Sequence, residues 1–153
     1  MSFADDLKIG EDAENEFIGL LEKYDWNTGR NTSKTVIEKR FYDLWAQKPA
    51  PKKAKPKTPR PVITFEIKND RRVKETGNVY LEHETIKNSR ADYIVYKLDT
   101  DGKFYLQERG FVLNLLDTPQ FKQVSGGDRW GIGTLIPEKM FVKMFVDAEK
   151  AFS

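Results

Sequence analysis

Cysteine is absent from this chain, and histidine occurs once, at His83. The first absence excludes disulfides and thiolate metal sites, and it suits a reducing cytoplasm, the expected location. The second argues against zinc, which favours sulfur and imidazole ligands. A metal held here is oxygen-liganded, which means magnesium, manganese or calcium. No run of about 18 apolar residues occurs, so no membrane span is expected. The acidic start, Met1 to Asp6, lacks the apolar stretch of a secretory signal. There is no Walker-type glycine loop and no serine–histidine arrangement, and Gly131-Ile132-Gly133 alone is too little to cradle a phosphate.

What is present describes a globular α/β protein. Apolar residues make up 39% of 153 and aromatics 12%, enough for one real core, so a single domain over 1–153 is expected. The net charge of +2 is unevenly spread. Residues 48–61 (KPAPKKAKPKTPRP) carry five lysines, one arginine and no acid, a local +6 that leaves the rest of the chain at −4. The same segment holds five of the seven prolines, which bars it from a helix or sheet interior. It reads as a protrusion joining two strands: either a solubilising loop or an arm for a DNA backbone.

Val62 to Lys68 (VITFEIK) reads as the central strand, dense in β-branched and aromatic residues. Alternation turns Ile63, Phe65 and Ile67 to one face and Glu66 and Lys68 to the other. For an isolated Glu-x-Lys a solvated ion pair is the ordinary outcome. Before this strand, Gly10 to Tyr24 has helical spacing, with Ala13, Phe17, Leu20, Leu21 and Tyr24 as the buried stripe. Glu14 borders that stripe, either as a boundary residue or as a ligand aimed inward. Thr35 to Trp45 is read as a strand ending near Asp43, with a helix as the alternative.

Beyond the central strand, Asp70 to Asn78 reads as a loop and Val79 to Ile86 as a strand pairing back in a wide hairpin. Asn88-Ser89 caps a helical turn at Arg90 to Asp92 in this reading. Tyr93 to Leu98 and Lys103 to Glu108 form a hairpin, and Phe111 to Leu116 a short helix. Gln120 to Ser125 and Gly131 to Ile136 flank a Gly126-Gly127 turn. Pro137 opens a final amphipathic helix carrying Met140, Phe141, Met144, Phe145 and Ala148, packed on the sheet.

Phosphodiester hydrolysis needs a hard cation to polarise the phosphate, and magnesium takes one or two carboxylates while keeping several waters. A lysine beside it orients water or offsets charge building on phosphorus. A strand-borne Asp43, Glu66-x-Lys68 on the next strand and Glu14 from an earlier helix meet that specification. The backbone carbonyl of Ile67 adds a further oxygen ligand.

The order of these residues resembles the PD-(D/E)xK nuclease superfamily, which includes restriction enzymes, Holliday-junction resolvases and phage nucleases. Gly10-x-x-x-Glu14 matches its first motif, Tyr42-Asp43 its second and Glu66-Ile67-Lys68 its third. Phe65 to Asp70, Thr76 to Glu82, Ser89, Ala91 to Tyr93 and Gly133 to Pro137 are similar to a small phage-type branch, so the likeness runs from about residue 7 to 140. The sequence departs from the pattern in two places. Tyr42 stands where the second motif has proline, and the 48–61 insertion is long.

The resemblance implies a restriction-endonuclease-like core, a central mixed β-sheet flanked by helices. It implies Mg2+, with Mn2+ substituting, held by Asp43, Glu66 and the Ile67 carbonyl, with Glu14 in support directly or through water. Lys68 then assists the attacking water, and cleavage of DNA leaves 5′-phosphates. Glu82 stands as a possible ligand for a second ion, Glu84 as its rival, or Glu82 as a solvent-facing residue. His83, of opposite parity, reads as packing or surface. Lys52, Lys53, Lys55, Lys57, Arg71, Arg72 and Lys74 are the candidate DNA-backbone contacts. A phage-encoded protein acting in a bacterial cytoplasm and a homodimer that cuts branched DNA symmetrically are further implications. A non-catalytic DNA-binding protein that keeps the fold and grips with the lysine-rich arm is the alternative.

Overall fold

Ala13, Phe17 and Leu21 recur every four residues, and all three are buried on one face of helix α1 (Phe3–Lys23). The structure, a computed structural model, describes residues 3–33, 35–48, 60–125 and 131–153. Helix α1 ends where Asp25 takes a left-handed φ of 65° and the Trp26 amide folds back to the Leu21 carbonyl. Strand β1 (Asn27–Arg30), the one-turn helix α2 (Val36–Lys39) and strand β2 (Leu44–Gln47) follow. Then come β3 (Val62–Asp70), α3 (Val73–Thr76), β4 (Asn78–Glu82) and α4 (His83–Asn88). The rest is β5 (Tyr93–Leu98), β6 (Phe104–Glu108), α5 (Arg109–Leu116), β7 (Lys122–Ser125), β8 (Ile132–Pro137), α6 (Glu138–Met144), β9 (Val146–Asp147) and α7 (Ala148–Phe152).

The strands form a central mixed sheet, β1-β2-β3-β5-β6-β9, and a smaller antiparallel one, β4-β8-β7. Among the described residues only β3 and β5 run parallel, with Glu66 opposite Ile94 and Lys68 opposite Tyr96. This is the α/β, mixed-sheet architecture expected, with helices on its faces. The central sheet separates two apolar clusters. On one face, Phe17 and Leu21 of α1 meet Leu44, Phe65, Ile67 and Val95. There the Phe17 and Phe65 rings pack edge to face at 5.2 Å, a geometry that adds to plain area burial. On the other face, Ile94, Tyr96 and Leu98 meet Val79, Leu81 and Ile136 of the small sheet and Phe141 of α6. No described helix is long and apolar enough to cross a membrane.

Several elements differ from the sequence reading. Thr35 to Trp45 is not one strand: the Thr35 hydroxyl accepts the Glu38 amide and caps α2, leaving only Leu44–Gln47 extended. The central strand does not form a hairpin with the segment after it. Its neighbour is β5, whose side chains are buried toward both faces, as suits an inner parallel strand. The Val79 to Ile86 segment is a strand only to Glu82; it pairs with β8, and His83 onward is helical.

The stretch after Asp70 closes into α3, whose C-cap Gly77 at φ 75° occupies the left-handed region. Arg90 to Asp92 is no helical turn; Ser89 ends α4, and the Asp92 amide bonds to the Thr64 carbonyl, opening β5. The final helix breaks after Met144. Phe145 turns extended to stack on Phe141 at 4.0 Å, and Val146 then pairs with Leu106. The segments on either side of Gly126-Gly127 are strands β7 and β8, which pair antiparallel; the Gly126-Gly127 turn itself lies outside the described residues.

Candidate active site

Antiparallel pairing sets Leu44 opposite Phe65, and Asp43 extends that ladder by donating its amide to the Phe65 carbonyl at 2.8 Å. Continuing the register puts Asp43 beside Glu66, on the face away from α1. The Asp43 carboxylate accepts the Ile67 amide at 2.7 Å. Because a strand residue's N–H and C=O project to the same edge, the Ile67 carbonyl also faces the Asp43 side. Glu66 is only 7% exposed, and its carboxyl hydrogen-bonds that of Asp43. Lys68 follows on the same face, its Nζ 3.9 Å from Glu66 Oε1.

The electrostatics follow from this crowding. Burial, then the Asp43 charge, push the Glu66 carboxyl up to about 8, against the pull of Lys68. Burial also raises Asp43, opposed by the Ile67 amide, Lys68 and Arg30. The pair therefore shares a proton near neutral pH, with Glu66 as its holder and Asp43 as acceptor.

Glu14 stands at the margin of this pair. Its carboxylate is held in an ion pair by Arg30 of β1, which also donates to Asn15 Oδ1. Burial and then Asp43 raise the Glu14 carboxyl, while Arg30 pulls it down. Among the described residues, no three carboxylate or imidazole side chains stand gathered as a metal cage. The donors that do converge are hard oxygens: two carboxyls sharing a proton and one backbone carbonyl. That set fits a hard cation such as Mg2+ or Mn2+ and not a soft metal.

The loop before Asp43 is held from two sides. Asn31 donates from Nδ2 to the carbonyls of Glu38 (2.9 Å) and Tyr42 (3.0 Å), and its amide donates to the Asp43 carbonyl. Opposite, the Arg90 amide and the Ser89 hydroxyl both donate to the Phe41 carbonyl. The Arg90 guanidinium lies 4.3 Å over the Phe41 ring. Sequence reasoning missed Asn31 and Arg30, which lie in a turn-rich stretch where nothing but tertiary contact marks them. It also missed Asp70, whose carboxylate accepts the amides of Arg72 and Tyr80 and so fastens β4 to the end of β3.

Glu82 ends β4, half-buried, at the opposite parity to the core-facing Val79 and Leu81. Burial, followed by the charges of Asp70, Glu82 and Glu66, raises the buried Tyr96 hydroxyl well above its usual value. Glu84 is exposed on α4. His83 is buried: the Thr134 hydroxyl donates to the Leu116 carbonyl at 2.8 Å and accepts from His83 Nε2 at 2.7 Å. It is a packing residue, as read, though on a helix and not a strand. Arg71, Arg72 and Lys74 are exposed at the C-terminal end of β3. Lys52, Lys53, Lys55 and Lys57 lie outside the described residues, but the roots of their segment are tied. Gln47 donates to the Arg60 carbonyl at 3.0 Å, and Arg60 to the Lys48 carbonyl at 2.6 Å.

No protein-family model and no curated protein sequence matches the chain. Solved structures do. A Holliday junction resolvase from the archaeal hyperthermophile Archaeoglobus fulgidus is similar over 94% of both chains, with a TM-score of 0.51 and 12% identity. A fusselovirus nuclease is similar over 94% of this chain and 90% of its own, with a TM-score of 0.55 and 14% identity. A bacterial homing endonuclease is similar over 84% and 72%, with a TM-score of 0.51 and 14% identity. The chain thus has a nuclease fold, and identities this low speak to fold alone.

Proposed function

We propose that this chain is a metal-dependent endonuclease that hydrolyses DNA phosphodiesters to 5′-phosphate products. The observation that carries the reading is the pair of the half-buried Asp43 and the buried Glu66 carboxyls, with Lys68 Nζ 3.9 Å from Glu66 on the same strand face. Holding the buried Glu66 carboxyl against Asp43 costs the fold stability, and such sites are where function concentrates. That the solved structures of similar fold are nucleases supports the same reading.

Asp43, Glu66 and the Ile67 carbonyl would hold Mg2+, or Mn2+ in its place, with Glu14 in support directly or through water. When bound, the cation polarises the phosphate and lowers the pKa of an attacking water. Asp43 is oriented for this by the Ile67 amide. Glu66 gives up the proton it shares with Asp43. Lys68 orients the nucleophilic water and offsets negative charge on the phosphoryl oxygens. Cations at the two ends of β3, exposed Lys48 and half-buried Arg60 at one and exposed Arg71, Arg72 and Lys74 at the other, bind the DNA backbone. Glu82 is the candidate for a second ion.

The test is cleavage of supercoiled plasmid, single-stranded circle and four-way junction by wild type and Lys68→Ala, with Mg2+, Mn2+ or EDTA. Metal-dependent cutting that the variant loses is the expected result. Cutting that persists in the variant, or none by either protein, refutes it. Tight binding without cutting favours the DNA-binding alternative.

A further inference from the structure

Trp45 is a large aromatic that belongs to neither apolar cluster. It lies in β2 two residues after Asp43, so its side chain is on the site face, about 7 Å along the strand. Opposite it on β1 is Gly29, and on β3 Thr64. A Cβ built on Gly29 would stand 2.5 Å from each of three indole atoms, Cε2, Cζ2 and Nε1. Equal approach to three ring atoms means that the face of the indole, not its edge, rests on the glycine. The opposite face of the ring then points away from the sheet, and the residue is half-buried.

The surroundings of Trp45 are fixed. Thr64 is pinned by Asp92, which accepts both its amide (2.9 Å) and its hydroxyl (3.2 Å). Past Trp45, the same face carries Gln47 and the 52% exposed Val62, at the tied roots of the basic segment 48–61. One continuous strip therefore runs from the carboxyl pair, over a flat outward indole, to Lys48 and Arg60. Base faces stack on aromatic side chains whatever their identity, provided the base is unpaired, while cations follow the backbone.

We infer that Trp45 is a stacking platform for an unpaired nucleobase next to the cleaved phosphate, which directs the enzyme to single-stranded or branched DNA. The inference rests on the nuclease reading of Asp43 and Glu66. It adds a specificity residue that takes no part in the chemistry. Gly29 serves it by leaving room for the ring to lie flat.

The test titrates the metal-free full chain into a dye-labelled single-stranded oligonucleotide and a dye-labelled blunt duplex of the same sequence, with affinity read by the anisotropy of the dye and, in wild type, stacking read by tryptophan quenching. Wild type is quenched by the single strand. Trp45→Leu loses that quench and binds the single strand about tenfold or more weakly, a typical loss for one stacked base. Trp45→Phe, which keeps an aromatic face, retains most of the affinity. Duplex affinity changes less than about twofold in either, against the same yardstick. If Trp45→Leu fails to fold by circular dichroism, Gly29→Ala takes its place. Its methyl lifts the ring and should produce the same loss.

Unchanged single-strand affinity in a folded variant overturns the inference, as does an equal loss on single strand and duplex. The nuclease reading fails separately. Quenching by single strand with no cleavage under Mn2+ removes the nuclease and leaves the platform supported; cleavage with an unaltered Trp45→Leu does the reverse.

Discussion

Replacing Glu66 by glutamine isolates the strain held in the carboxyl pair. In the metal-free protein the Glu66 carboxyl is raised from 4.5 to about 8, chiefly by burial and next by Asp43. Above 4.5 the unfolded chain releases this proton while the folded chain keeps it. The folded state thus binds more protons, and its stability falls as pH rises. Full stabilisation from this group exists below 4.5 and is lost as pH rises through 8. The slope is about 1.4 kcal/mol per pH unit across that window, and the whole effect about 4 to 5 kcal/mol. Glutamine keeps a neutral donor toward Asp43 and does not titrate. In EDTA, urea unfolding at about pH 5, 7 and 8.5 should give a Glu66→Gln variant that gains on wild type by about 3 kcal/mol at pH 7 and more above. Adding Mn2+ should reverse the order, because ligand stabilisation reaches only the protein that still holds the carboxylate. Parallel pH profiles for the two proteins refute the reasoning.

Other outcomes follow from other contacts. Asp70→Ala removes the acceptor of the Tyr80 and Arg72 amides and should cost about 2 kcal/mol in denaturant unfolding; a loss below about 0.5 would mean that the carboxylate does not fasten β4. Asn31→Ala frees the carbonyls of Glu38 and Tyr42 and lets Asp43 shift, so kcat should fall about 10- to 100-fold with KM for DNA nearly unchanged. An equal change in both would contradict a positioning role. Replacing Lys52, Lys53, Lys55 and Lys57 by serine should flatten the dependence of log affinity on log salt by about 3 to 4 if all four neutralise duplex phosphates. An unaltered slope would mean that the segment is only a solubilising loop.

The central strand was legible because Val62 to Lys68 combines β-branched residues with strict alternation, and its neighbours confirm the faces: Phe65 and Ile67 under α1, Glu66 and Lys68 opposite. The pairing of β5 with β6 was legible for the same reason, with a Gly102 turn between. The partner of β3 was not. Sequence adjacency favoured a hairpin with Val79 to Ile86, but the Asp70 carboxylate takes the Tyr80 amide and leaves β4 to the small sheet. The α2 turn carried a visible signal in Thr35 and Glu38, a hydroxyl three residues before a glutamate, outweighed there by the aromatic and β-branched content.

Asp43 and Glu66 come together as their motif spacing implied, despite the long insertion between them. The basic insertion leaves and re-enters at β2 and β3, so its length does not alter their register. The hold of Arg30 on Glu14 joins residues 16 positions apart through side chains alone. No periodicity encodes such a contact.

The most direct test is to soak crystals in Mn2+ and record anomalous difference density. The account predicts a peak bonded to the Asp43 and Glu66 carboxylates and the Ile67 carbonyl, with Glu14 reached directly or through water. A peak elsewhere, with that carboxyl pair bare, or no peak at any pH above about 8, where the shared proton has left, would contradict it.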